Sequence, residues 1–213
     1  MYKNISYKEH WLIQDVEVYV FAIQDVLVLD EEKTAIEEMY VDVLAHYKSS
    51  KKKDEFVVSR LLHHYVFGHK TPISYRDSAP FFHPNYHLSI SHSHGLVAIA
   101  YSKTKRFGID IELKSNKIEK VKHKIFHPHE AYVDKHLTFS RNTFLYRTWT
   151  AKEACYKASR SNHCAYKSYF SLNVLWSDAS LRIVDTNEEF DLEFRDLDTH
   201  CFCLAIAREE ENQ

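Results

Sequence analysis

The chain has 213 residues, 45% of them hydrophobic, with 28 basic against 30 acidic side chains and a formal charge of −2. That size suits one large domain or two small, closely packed ones, and the balanced charge gives no reason to expect a nucleic-acid partner. With 14 Tyr, 13 Phe and 3 Trp against only 3 Gly and 4 Pro, the composition excludes a disordered segment.

Residues 11–29 are rich in Val, Ile, Tyr and Phe, interrupted by Gln14-Asp15 and Gln24-Asp25, which predicts one or two strands. From Asp30 the composition turns to helix formers. Ile36, Met39, Tyr40, Val43, Leu44 and Tyr47 recur at three-and-four spacing and predict an amphipathic helix. The run from Ser49 to Glu55 reads as a polar break, followed by a second helix from Phe56 to about Gly68. A loop with Pro72, Pro80 and Pro84 leads to strands Leu88–Ser93 and Leu96–Ser102 around the turn pair His94-Gly95, and then to an alternating strand, Phe107–Leu113.

The second half repeats this grammar loosely. A basic amphipathic segment, Ile118–Phe126, precedes helices around Glu130–Leu137 and Asn142–Ser159. Strands are expected at Ser168–Trp176, Ser180–Asp185, Glu189–Phe194 and His200–Ala207. Helices followed by strands, twice, predict an α+β protein of two similar α/β halves packed together, divided as 1–106 and 107–213. No run reaches membrane-spanning length without charge, and Met1-Tyr2-Lys3-Asn4 opens no signal peptide, so the expectation is a cytoplasmic protein with no membrane partner. Cys155, Cys164, Cys201 and Cys203 form no CxxC pair, and Cys201 and Cys203 read as small buried residues on one strand face. The fifteen histidines, including His63-His64-His69 and His83-His87, lack zinc-site spacing.

Three segments carry chemistry. In Phe107-Gly108-Ile109-Asp110-Ile111-Glu112, strand alternation puts Asp110 and Glu112 on one face. Adjacent carboxylates repel unless a cation neutralises them, and their oxygens suit Mg²⁺; an ordinary strand with a polar face has the same pattern. In Trp149-Thr150-Ala151-Lys152-Glu153-Ala154-Cys155-Tyr156-Lys157, Glu153 and Lys157 share a helix face, either as a surface ion pair or as a third carboxylate beside phosphate-binding lysines. In Leu88-Ser89-Ile90-Ser91-His92-Ser93, alternation sends His92 toward the core with Leu88 and Ile90, where it is either a hydrogen-bonded structural histidine or, at the strand end, a donor to a phosphate. Arg60, on the second helix, reads by itself as a solvated side chain.

The order Ser-x-Ser-His-Ser, Gly-Ile-Asp-Ile-Glu and Trp-Thr-x-Lys-Glu-Ala-x-x-Lys-Ala resembles the 4′-phosphopantetheinyl transferase superfamily, over about Arg60 to Ala158. The length points to its surfactin-synthetase-type branch, two pseudo-twofold-related halves in one chain. The resemblance implies transfer of 4′-phosphopantetheine from coenzyme A to a serine of an apo acyl or peptidyl carrier protein, releasing adenosine 3′,5′-bisphosphate. The alternative is a catalytically silent paralogue that binds carrier protein or coenzyme A. It further implies that Asp110, Glu112 and Glu153 hold Mg²⁺ (or Mn²⁺), that Lys157 and His92 contact the diphosphate, that Lys152, as a phosphate-binding cation, and Ser91 also bind coenzyme A, and that Arg60 contacts the 3′-phosphate. Coenzyme A contacts would then lie mainly in the first half, with metal ligands and carrier docking in the second. Glu130, in Phe126-His127-Pro128-His129-Glu130, matches the family's candidate general base. Lys114, Lys117, Lys120, Lys122 and Lys124, interleaved with Ile118, Val121 and Ile125, offer a basic docking face for an acidic carrier protein. A monomer is the expected state. Two departures stand out: Ser78-Ala79-Pro80 replaces the family's Gly-Lys-Pro, so that a cofactor contact is either lost or taken over by Arg76 or Lys70, and Ser159-Arg160-Ser161-Asn162-His163 replaces a glycine turn, where Asn162 tolerates the left-handed conformation.

Overall fold

The computed structural model describes residues 7–26, 30–67, 72–76, 79–81, 86–126, 140–159, 170–173, 179–183 and 186–209. The helix expected around Glu130–Leu137, Glu130 itself, Cys164 and the Asn162 turn lie outside them. Two compact units divide the chain, Met1–Lys103 and Thr104–Gln213. Helices and strands occur in both, an α+β composition.

In the first unit, β1 (Glu9–Ile13), β2 (Val16–Ala22), β5 (His87–Ser93) and β6 (Leu96–Ser102) form an antiparallel sheet in the order β1-β2-β6-β5. Its hairpins close on two-residue turns. Gln14 and Asp15 (φ 47° and 67°) join β1 to β2, and His94 and Gly95 (φ 40° and 92°) join β5 to β6. Positive φ at both central residues matches the right-handed twist of the flanking strands. The Gln14-Asp15 interruption is thus a hairpin turn. After β2 the chain enters a short helix, α1 (Ile23–Val26), where a strand is expected.

The single helix expected from Asp30 to Tyr47 is two, α2 (Asp30–Met39) and α3 (Val41–Ala45), broken at Tyr40 (φ −119°). Tyr40 is buried there, its hydroxyl accepting from Ile73 N at 2.8 Å and its ring meeting Phe56 edge-on at 5.3 Å. Of the predicted apolar stripe, Ile36, Tyr40 and Leu44 are buried, whereas Met39 and Val43 are exposed. The polar run expected as a break is the first turn of α4 (Ser50–Phe67). Glu55 to His64 of α4 are buried without interruption, and Phe56, Val57, Val58, Leu61 and Leu62 join Phe21, Leu88, Val97, Ile99 and Tyr101 in one core. In the region expected as a proline loop, β3 (Ser74–Arg76) and β4 (Ala79–Phe81) pair as a small ladder.

The second unit is a five-stranded antiparallel sheet in the order β7-β11-β10-β9-β8. Its strands are β7 (Phe107–Leu113), β8 (Phe170–Asn173), β9 (Ser180–Ile183), β10 (Glu189–Leu197) and β11 (His200–Ala207). Helix α6 (Arg141–Ala158) lies against β7 and β11, and α5 (Ile118–Ile125) packs on α6. Ser140 caps α6 by accepting from Thr143 N at 3.2 Å. At its other end Arg106 donates to Ala158 O at 2.6 Å while pairing with Glu188 at 2.8 Å. Ala151, Ala154, Cys155 and Ala158 face Leu181, Phe190, Leu192, Cys203 and Ala205 in the core. Small residues on both sides let the helix sit close to the sheet.

Candidate active site

Strand β7 and helix α6 build the site, and Gly108 sets their separation. A Cβ on Gly108 would stand 2.2 Å from Ala154 O, 2.8 Å from Ala158 N and 2.9 Å from Lys157 Cβ. Only glycine permits that approach. Alternation then turns Asp110 and Glu112, like Gly108, toward α6, while Phe107, Ile109 and Ile111 are buried on the opposite face.

On α6, Trp149, Glu153 and Lys157 recur every four residues and form one stripe over that strand face. The Lys157 ammonium donates to Asp110 Oδ1 and to Ile109 O, both at 2.9 Å. Two turns away the Trp149 indole N–H donates to Glu112 Oε1 at 3.1 Å. Glu153 is half-buried on the turn between them. Asp110 is 4% exposed, and a buried carboxylate is tolerable only with such a charge partner.

Beneath the carboxylates, Cys203 and Cys201 of β11 are the cross-strand partners of Asp110 and Glu112. Both are buried free thiols, as expected of small core residues. Burial pushes the Cys201 thiol up to about 11 and raises the Cys203 thiol well above its ordinary value, so both stay protonated at neutral pH. The donors this face offers are therefore carboxylate oxygens, a set that suits a hard divalent cation. Among the described residues, no three His, Cys, Asp or Glu side chains converge closely enough to hold a metal ion. The expected trio shares a face without closing on one point.

Lys152 departs from the expected phosphate role. It is 2% exposed, and its ammonium donates to Ile125 O at 2.6 Å, because one residue along a helix turns the side chain about 100° away from Glu153. Of the docking lysines, Lys114 is engaged by Asp196 at 2.9 Å and Lys122 by Glu119 at 3.3 Å. Lys117, Lys120 and Val121 are exposed.

Arg60, Ser91 and His92 belong to the first unit. Arg60 is not a solvated side chain: it is 4% exposed, its guanidinium lies 3.6 Å over the Phe56 ring, and it donates to Ser59 Oγ at 2.7 Å and to the Tyr75 hydroxyl. No carboxylate pairs with it among the described residues. Ser91 is buried, whereas His92 is half-exposed with Nδ1 3.3 Å from Glu55 Oε2. His92 does share its strand face with Leu88 and Ile90, but burial falls along that face, from buried Leu88 through half-buried Ile90 to the exposed ring of His92.

Trp149 has no role assigned from sequence. Its place four residues before Glu153 is the signal that puts its indole on the carboxylate stripe. Tyr146 and Asn142 were equally silent: the Tyr146 hydroxyl accepts from Ser115 N at 3.0 Å and Asn142 Nδ2 donates to Ser115 O at 3.0 Å, fixing the turn that leaves β7.

No curated protein matches the chain. Residues 106–207, from the residue before β7 to the end of β11, match the family model of the 4′-phosphopantetheinyl transferase superfamily, a match that supports transferase chemistry drawing on coenzyme A.

Proposed function

We propose that the chain transfers the 4′-phosphopantetheine arm of coenzyme A to a serine of an apo acyl or peptidyl carrier protein. The observation that carries this reading is the Trp149-Glu153-Lys157 stripe laid over Asp110 and Glu112, with Lys157 bound to Asp110. Asp110, Glu112 and Glu153 are the residues that would hold Mg²⁺, whose charge, when bound, steadies the diphosphate oxygens of coenzyme A.

Lys157, the half-buried ammonium of the stripe, serves as the cation for the diphosphate, with Ser91 and His92 as further donors. Arg60, a buried cation with no carboxylate partner among the described residues, serves the 3′-phosphate. The carrier serine Oγ forms a bond to the phosphorus next to pantetheine. The bond from that phosphorus to the bridging oxygen breaks, and adenosine 3′,5′-bisphosphate leaves with the electron pair. The serine proton passes to the Glu130 carboxylate, the family's candidate base. Negative charge grows on the departing oxygen, so a fixed ammonium lowers the barrier more than it lowers the ground state. Lys117, which caps the start of α5, and Lys120 and Val121 on it are exposed and form the docking face for an acidic carrier.

The test is the mass of an apo carrier protein after incubation with the chain, coenzyme A and Mg²⁺. The expected result is a gain of one phosphopantetheine, lost with EDTA and with Asp110→Ala. No gain on acyl and peptidyl carriers, with coenzyme A still bound, favours the silent paralogue.

A further inference from the structure

Lys152 is the one charged residue among the largest fully buried side chains of the described residues. An apolar chain of the same length would fill that space without stripping an ammonium of water, so burial of the charge calls for a reason. Its Nζ donates to Ile125 O at 2.6 Å, and the Phe126 ring lies 5.8 Å away. Ile125 is the last residue of α5, and Phe126 has already turned extended (φ −94°, ψ 135°). A helix ends in carbonyls with no intrahelical donor and carries partial negative charge there, which an ammonium complements.

Adjacent positions of α6 thus point two ways, Glu153 along the carboxylate stripe and Lys152 into the end of α5. We propose that Lys152 is a positioning residue that fastens the end of α5 to the turn of α6 bearing Glu153. The tether holds the Lys117-Lys120-Val121 face in register with the carboxylate stripe. This inference rests on the transferase reading for its consequence in catalysis, but the tether is a property of α5 and α6 alone.

The experiment uses the full chain with Lys152→Met, which keeps length and removes charge, and Lys152→Arg, which keeps charge. Hydrogen exchange is followed in α5, β7 and β11, coenzyme A binding by calorimetry, and steady-state transfer against carrier protein. For Lys152→Met the expected result is roughly tenfold faster exchange confined to the end of α5. Coenzyme A affinity stays unchanged, while kcat/KM for the carrier falls about tenfold. Lys152→Arg restores both. Should Lys152→Met not fold, Lys152→Gln, which keeps a donor without the charge, carries the same comparison. A fall in coenzyme A affinity with α5 exchange unchanged makes Lys152 a ligand contact and overturns the proposal, as does no change in any readout. If the unaltered chain transfers nothing, the transferase reading fails, and exchange in α5 still decides the tether.

Discussion

Trp149 and Lys157 stand two turns apart on α6 and hold Glu112 and Asp110 from the same side. The indole N–H fixes one carboxylate oxygen of Glu112. On the proposed reading Glu112 is a metal ligand, and groups that orient such a ligand govern affinity almost as strongly as the ligand does. Trp149→Phe keeps the aromatic packing and removes the donor. It is expected to raise the Mg²⁺ concentration needed for coenzyme A binding roughly tenfold, with the melting temperature within a few degrees. Calorimetric Mg²⁺ titration of both proteins checks this; an unchanged midpoint would show that Glu112 needs no such support.

At the scale of elements, the decisive dimension is the gap between β7 and α6. Gly108 lets the helix backbone rest on the strand, and this brings Lys157 within 2.9 Å of Asp110. A methyl group at that position meets two backbone atoms of α6, and backbone cannot rotate away as a side-chain tip can. Gly108→Ala is expected to destabilise the protein by about 1–3 kcal/mol, read as a lower urea midpoint, and to weaken coenzyme A binding by moving the whole stripe. If the midpoint is unchanged, α6 does not rest on this residue.

For the molecule as a whole, both units bury groups that must keep their protons. Tyr40 and Tyr101 in the first unit are raised above the ordinary tyrosine range by burial, and in the second burial lifts Cys201 to about 11. A group whose folded pKa lies above its unfolded value contributes stability that is fully present below the unfolded pKa and lost as pH rises through the folded one. For Cys201 that window opens near 9.0, its ordinary value, and runs to about 11. Stability against urea is therefore expected to be flat from this source below pH 8 and to decline between pH 9 and 11. Denaturation midpoints measured across that range check it, and a Cys201→Ala variant should lose part of the decline.

The sequence by itself determined the alternation of β7 and the shared helix face of Glu153 and Lys157, because strand and helix periods are local and fix which side chains share a face. The same periods marked the hairpin around His94-Gly95 and the segments of β6, β7, α6 and β11. Only the tertiary structure decided that Lys152 turns inward to α5, that Arg60 is stacked and buried, and that the Asp30–Tyr47 stretch breaks at Tyr40. Each depends on a partner distant in the chain: Ile125 O for Lys152, Tyr75 for Arg60 and Ile73 N for Tyr40. Local propensity carries no information about such partners, since the energy that selects them is released only when separate elements pack together.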